Sequence, residues 1–245
     1  MKKEIIESLI QVISIAPLIF LFIRKDNPKK TKLLILFILY FIGYQILIRL
    51  PFYFSFFRFI EGNWNWSGKL LTIAGSFIFF FFFKKDFYPH HFLTIKQEKK
   101  SLRKNAIIVI IISLIAILEG YLFYNESWNF ETILFQSTLP GIDEEIAYRG
   151  IMLGILSSIL IDKIRIFKKI TFNPSIWIIG IIFGLIHALK LNSDWEVSFN
   201  TFYFVKTFIL GTVWSWMVIK SKSILLPIVS HNLSNTLANL VGMMK

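Results

Sequence analysis

The sequence predicts an all-α polytopic membrane protein with about eight transmembrane helices, and three observations carry the prediction. Hydrophobic residues fill 55% of the 245 positions, and the mean hydropathy is +0.63. Apolar runs recur along the whole chain, and a helix needs about 20 such residues to cross the hydrocarbon layer. Basic clusters separate the runs. No stretch is typical of a soluble domain, so we expect residues 1–245 to form a single membrane domain.

Apolar runs bounded by charges, Pro or Gly define eight candidate spans. They are Ile5–Ile23, Leu33–Leu50, Leu70–Phe83, Ala106–Tyr124, Pro140–Ile161, Pro174–Leu189, Thr201–Ile219 and Ile224–Met243. The third span is short, and it can extend back towards Trp64 and Trp66, whose rings suit the membrane interface. Residues 52–59 and 125–139 are apolar but too short to span, which predicts re-entrant or interfacial segments.

The distribution of charge supports this count of spans. Lys and Arg total 27 against 15 Asp and Glu, a net charge of +12, and most bases lie in the first, third, fifth and seventh loops, with Lys163, Arg165, Lys168 and Lys169 in the fifth. Even loops hold only Arg58, Lys69 and Lys190. The positive-inside rule therefore places the odd loops in the cytoplasm and both termini outside. Membrane lipid accounts for such basic loops, so we expect no nucleic-acid partner.

Polar residues inside the spans are the candidates for chemistry, because a charge at that depth costs a few kcal/mol or more. They concentrate in the last four spans: Asp143, Glu144, Glu145, Arg149, His187, His231 and Asn235. The chain has no cysteine, which excludes a cysteine nucleophile, disulfides and thiolate metal ligands. The candidate site is therefore built from carboxylate, imidazole and amide groups.

Helical spacing predicts separate roles for these residues. Glu145 and Arg149 are four apart and form an ion pair on one face. Glu144 is rotated by about 100° from Glu145 and faces the bundle interior, where desolvation makes its carboxyl a usable general base near neutral pH. His231 and Asn235 are also four apart and hold a substrate carbonyl or stabilise an oxyanion.

Other interpretations of the same residues stay open. His187 either orients a water with Glu144, ligates a metal or is a hydrogen-bonded packing histidine. The charges of the fifth span are alternatively a structural ion-pair network, and His231 with Asn235 a polar contact between helices. Elsewhere, Glu119 and Lys206 fall at similar depth in the fourth and seventh spans, and we predict that they pair.

Three motifs in order resemble those of the CPBP family of intramembrane endopeptidases, which includes CaaX prenyl endopeptidases and the bacteriocin-processing or immunity proteins labelled Abi. They are Glu-Glu-x-x-x-Arg at residues 144–149, Phe-x-x-x-His from Phe183 to His187, and His-x-x-x-Asn from His231 to Asn235. The resemblance covers residues 140–235, the region of the fifth to eighth helices. The first four spans match only in being hydrophobic.

The resemblance implies an eight-helix fold and peptide-bond hydrolysis. Glu144 and His187 would activate a water, His231 and Asn235 would form the oxyanion hole, and Glu145, Arg149 and Phe183 would be structural support. The family is often called metalloprotease, yet this set is poor for a closed zinc site; if a divalent metal such as zinc is used, its ligands are His187 and His231. A metal-free glutamate-activated water is the simpler expectation.

We therefore expect a membrane-embedded endopeptidase that cleaves a peptide or lipidated protein substrate, located in a bacterial inner membrane. The main alternative is a non-catalytic bacteriocin immunity or scaffold protein that sequesters a membrane-active peptide. A proton-coupled transporter using Glu144 and His187 as a relay is a third hypothesis, which the lack of a visible sequence repeat disfavours.

Overall fold

The computed structural model describes residues 1–167 and 170–245, and it confirms an all-α polytopic membrane protein. Lys168 and Lys169, counted among the bases of the fifth loop, lie outside the described residues. The N-terminal helices are α1 (Lys2–Phe22), α2 (Lys30–Leu47), α3 (Leu50–Tyr53), a 3-10 turn (Ser55–Phe57), α4 (Trp66–Phe83) and α5 (Lys99–Phe123). The C-terminal helices are α6 (Phe130–Gln136), α7 (Leu139–Glu144), a π-helix (Glu145–Met152), α8 (Leu153–Ile159), α9 (Pro174–Ala188), α10 (Thr201–Ser221) and α11 (Leu225–Met243).

Each predicted span coincides with helical structure, but not every span is a long regular helix. Of the described helices, α1, α2, α4, α5 and α10 are long and apolar enough to cross a membrane. The predicted sixth span, α9, has only 15 residues. The predicted fifth span is divided into α7, the π-helix and α8, and the predicted eighth, α11, carries several polar residues. The helices that hold the candidate motifs are therefore the least typical spans.

Loops predicted to lie on the same side of the membrane contact one another. The backbone N–H of Arg24 in the first loop donates to the carbonyl of Ile159 at the end of α8, with N and O 2.8 Å apart. The N–H of Glu98 in the third loop donates to the carbonyl of Ser221 at the end of α10, at 2.9 Å. The odd loops therefore meet at one end of the bundle, as the charge pattern predicts.

Among the described residues there are two short antiparallel strand pairs that the sequence does not predict. Strand β1 (Ile164–Phe167) pairs with β2 (Ile170–Phe172), and β3 (Leu189–Leu191) pairs with β4 (Val197–Phe199). The second hairpin shortens the predicted sixth span, because Leu189 is already extended. The carboxylate of Glu7 on α1 holds β3 by accepting the Leu191 N–H at 3.1 Å.

The π-helix and α8 form the centre of the bundle. All residues from 145 to 157 are buried, so this segment has neighbours on every side. α7 packs against α4 and α11, α8 packs against α2, and α9 packs along α10. α5 runs beside α11, and their approach is close at Gly120, where a Cβ would lie 2.3 Å from the carbonyl oxygen of Ala238. This packing brings α4, α9, α10 and α11 around the Glu-Glu-x-x-x-Arg motif.

Candidate active site

The first motif lies where an α-helix becomes a π-helix. α7 ends at Glu144 and the π-helix begins at Glu145, and the N–H of Leu153 donates to the carbonyl of Tyr148 five residues earlier. Such π segments are rare and are frequent at functional sites. The two consecutive glutamates point in different directions: Glu145 is fully buried, whereas the side chain of Glu144 is 13% exposed.

The ion pair predicted between Glu145 and Arg149 is confirmed. Arg149 Nη1 lies 3.1 Å from Glu145 Oε1, and neither side chain is exposed. The guanidinium carbon lies 4.2 Å from the ring centroid of Phe183, so the aromatic face also contacts the cation. Phe183 therefore packs under the motif, which is the contact expected of a supporting residue.

His231 joins the ion pair from α11. Its Nδ1 lies 2.9 Å from Glu145 Oε1, and its Nε2 lies 3.9 Å from Glu144 Oε2. The indole of Trp214 on α10 stacks on the imidazole at 4.4 Å between centroids and 15° between planes. A carboxylate on one ring nitrogen and an aromatic plane on the face fix the orientation of the ring, so Nε2 points towards Glu144.

Glu144 has a partner that the sequence analysis does not predict. Lys69 Nζ lies 2.6 Å from Glu144 Oε1 and 2.9 Å from Asp143 Oδ2, and the hydroxyl of Tyr44 donates to the same Asp143 oxygen at 2.7 Å. The placement of Lys69 in an outer loop is wrong: α4 begins at Trp66, and Lys69 is buried within its first turn. Glu144 therefore does not face an apolar interior alone.

His187 approaches from α9 and is the exposed member of the site. Its Nδ1 hydrogen-bonds with the carbonyl oxygen of Phe183 at 2.8 Å, which leaves Nε2 for other partners. The side chain is exposed, whereas Glu145 and Arg149 have no accessible surface. Glu144 is an electrostatic neighbour of both His187 and His231. Glu144 and His187 are thus members of the site that retain accessible surface.

Among the described residues, the side chain of Asn235 forms no hydrogen bond with this cluster. Asn235 is half-buried, and within the described part of the chain no hydrogen bond is formed by its side-chain amide. Its neighbour Asn232 makes the contact between α11 and α7 instead. Asn232 Oδ1 accepts the backbone N–H of Gly141 at 2.7 Å, and Nδ2 donates to the carbonyl of Thr138 at 2.8 Å. The role of Asn235 in an oxyanion hole stays a prediction.

The donor set does not fit a zinc ion. Among the described residues, no group of three or more His, Asp or Glu side chains is placed to hold a metal. His231 Nδ1 is already bonded to Glu145, and the Lys69 ammonium occupies one oxygen of Glu144. A cation in contact with the candidate carboxylate opposes the binding of a second cation there.

Three contributors to the site have no motif of their own, namely Lys69, Asn232 and Trp214. The one available signal was that a lysine beside the predicted third span falls at the same end of the bundle as Glu144. Asn232 and Trp214 lie within spans, where a polar or aromatic residue can have many roles other than a contact with the site. Their contacts depend on which helices pack together, and spacing along one helix does not reveal that.

Comparison with known proteins agrees with the motifs. The family model described as "Type II CAAX prenyl endopeptidase Rce1-like" matches residues 126–237, which include all three motifs. The searches of curated proteins and of solved structures each found no match. The match implies a protease that acts on a peptide or protein. Over residues 126–237, slightly less than half of the chain, this integral membrane protein is similar to the Rce1-like type II CAAX prenyl endopeptidases.

Proposed function

We propose that this protein is an intramembrane endopeptidase that hydrolyses a peptide bond with a water activated by Glu144 and His187. The observation that carries the proposal is the arrangement of carboxylates: Glu145 is fully buried and bonded to Arg149 and His231, whereas the side chain of Glu144 is 13% exposed and its Oε2 has no hydrogen-bond partner among the described residues. Only the accessible carboxylate can receive a proton from a water beside a substrate. The proposal treats residues 1–245 as one membrane domain.

In the proposed reaction, the water oxygen attacks the scissile carbonyl carbon while its proton passes to Glu144 Oε2. His187 Nε2 orients the water, because Nδ1 is held by the Phe183 carbonyl. The tetrahedral oxyanion accepts a hydrogen bond from His231 Nε2, with Asn235 as a second donor one turn away. Glu144 then returns the proton to the departing amine nitrogen, the C–N bond breaks, and a carboxylic acid and an amine are released, which become a carboxylate and an ammonium by proton transfer.

Glu145 and Arg149 support this chemistry through His231. The Glu145 carboxylate accepts from Nδ1, which sets the direction in which Nε2 points. Three carboxyl groups, from Asp143, Glu144 and Glu145, face the two cations of Lys69 and Arg149. Because Nδ1 of His231 donates to Glu145, donation from Nε2 to the oxyanion requires both ring nitrogens to carry hydrogen during the proposed step.

The similarity to the family model and the location of the site support a membrane-associated peptide as the substrate. A type II CAAX prenyl endopeptidase acts on prenylated tails, so a lipidated peptide is the first candidate, beside an unmodified membrane peptide. The test is cleavage of both kinds of peptide by purified protein in detergent, with and without chelator. Cleavage that survives chelator and is lost in E144Q is the expected result. Wild-type cleavage that E144Q and H187Q both retain would contradict the proposal.

The non-catalytic immunity or scaffold alternative makes a different prediction in cells. A protein that only sequesters a membrane-active peptide needs its fold but not its general base. Protection of cells that E144Q provides as well as wild type would favour that alternative. Location in a bacterial inner membrane stays a prediction, which membrane fractionation tests.

A further inference from the structure

We propose that Lys69 is a positioning residue of this site, which keeps Glu144 ionised and leaves Oε2 as the oxygen that accepts the proton of the water. The inference rests on the proposed function for its catalytic meaning. Lys69 lies on α4, outside residues 126–237 that match the family model. The N-terminal half of the chain would therefore contribute directly to a site whose motifs all lie in the C-terminal half.

The two carboxylate oxygens of Glu144 have different contacts. Lys69 Nζ donates to Oε1 at 2.6 Å. Oε2 is buried and has no hydrogen-bond partner in the described part of the chain, and it points to His231 Nε2 at 3.9 Å. A buried carboxylate oxygen without a partner is costly, and it is the atom expected to bond a substrate water. The ammonium on Oε1 thus selects Oε2 for the chemistry.

The lysine is itself held in place. Its ammonium also contacts Asp143 Oδ2 at 2.9 Å, and Tyr44 on α2 donates to that oxygen at 2.7 Å. Lys69 is 7% exposed and Asp143 is fully buried. Solvent therefore screens the interaction between the ammonium and the Glu144 carboxylate only weakly. Asp143 supplies the second negative charge that makes burial of the ammonium tolerable.

The charge of Lys69 changes the proton affinity of the site in a defined direction. The titratable and charged groups around Glu144 are Lys69, Asp143, Glu145, Arg149, His187, His231, Tyr44 and Tyr148. Lys69 is the cation in direct contact with the Glu144 carboxylate, whereas Arg149 contacts Glu145. Removal of the ammonium makes ionisation of Glu144 harder, so activity should require a higher pH.

The test compares K69M with K206M, which removes a lysine from another carboxylate pair, that with Glu119 on α5. K69M should lower kcat by about 10-fold or more, and the acidic limb of its kcat/KM profile should move to higher pH by about one unit or more. K206M should keep the wild-type limb. Superimposable limbs for K69M, K206M and wild type would overturn the proposal, because a merely structural lysine would change yield but not the limb.

A second measurement does not depend on cleavage or on a folded K69M. The infrared carboxyl band of wild type minus that of E144Q reports the protonation of Glu144 at neutral pH. No protonated-carboxyl signal is expected, because Lys69 holds the group ionised. A clear signal at neutral pH would overturn the role of Lys69 even in an active enzyme. Absence of cleavage by wild type, with Glu144 ionised, would instead count against the proposed function.

Discussion

Replacement of Asn232 tests whether α11 fixes the start of α7. In N232A, the buried N–H of Gly141 and the carbonyl of Thr138 both lose their side-chain partner. An unsatisfied buried polar group costs about 1–3 kcal/mol, and Gly141 is buried whereas Thr138 is partly exposed, so the variant should lose about 1–3 kcal/mol of unfolding free energy, mostly at the Gly141 N–H. Gly141 fits this contact closely, because a Cβ there would lie 2.5 Å from Asn232 Oδ1.

The matched control is N239A on the same helix. Asn239 is half-buried, and its Nδ2 donates to the carbonyl of Asn235 one turn earlier, so its loss should cost less than about 1 kcal/mol. Denaturant unfolding in detergent, followed by circular dichroism, measures both variants. Equal stabilities of N232A and N239A, within about 0.5 kcal/mol, would refute the role of Asn232 in joining the helices.

Three further predictions concern charge and metal. Glu119 and Lys206 are paired in the structure, as the sequence predicts, and exchanging the two residues should restore folding lost in either single variant; a double variant no better than the singles would contradict the coupling. Hydrogen bonds from Trp66 Nε1 and the N–H of Asn63 hold the pKa of Glu131, outside the spans, below its usual value. The stabilisation by the Glu131 carboxylate is present above its unfolded pKa and is lost as pH falls through its folded pKa. The melting temperature of E131Q should therefore lie below that of wild type at neutral pH, and the two melting temperatures should converge in acid. A difference in melting temperature that does not change with pH would contradict this. Chelator should leave peptide cleavage within about two-fold of the untreated rate, and restoration of a lost rate by zinc would show that a metal is needed.

Much of the C-terminal half is predictable because its chemistry is local. Glu145 and Arg149 are one turn apart, and that spacing alone predicts their ion pair. The charges of the loops likewise predict which loops meet, and Arg24 does contact the end of α8. Polar residues inside spans are rare enough to attract attention, so His187 and His231 are found without any knowledge of the packing.

The features of the fold and the site that the sequence does not predict depend on contacts between helices that are distant in sequence. Lys69 lies 75 positions from Glu144 and looks like a loop lysine, because Trp, Ser and Gly precede it at the start of α4. The π-helix has no sequence signature comparable to a cap, so Pro140–Ile161 predicts one continuous span. The two hairpins are three or four residues per strand, too short for alternation to show.

In the proposed function, Glu144 is the general base of an intramembrane peptidase. The most direct measurement is the initial rate of peptide cleavage in proteoliposomes for wild type, E144Q and E119Q, at matched protein content. E119Q removes another intramembrane glutamate that is paired with a lysine, so it should lower the yield of folded protein, but the folded fraction should retain most of the wild-type rate. The cleavage rate of E144Q should be lower than that of wild type by about 100-fold or more. Equal rates for E144Q and E119Q would contradict it.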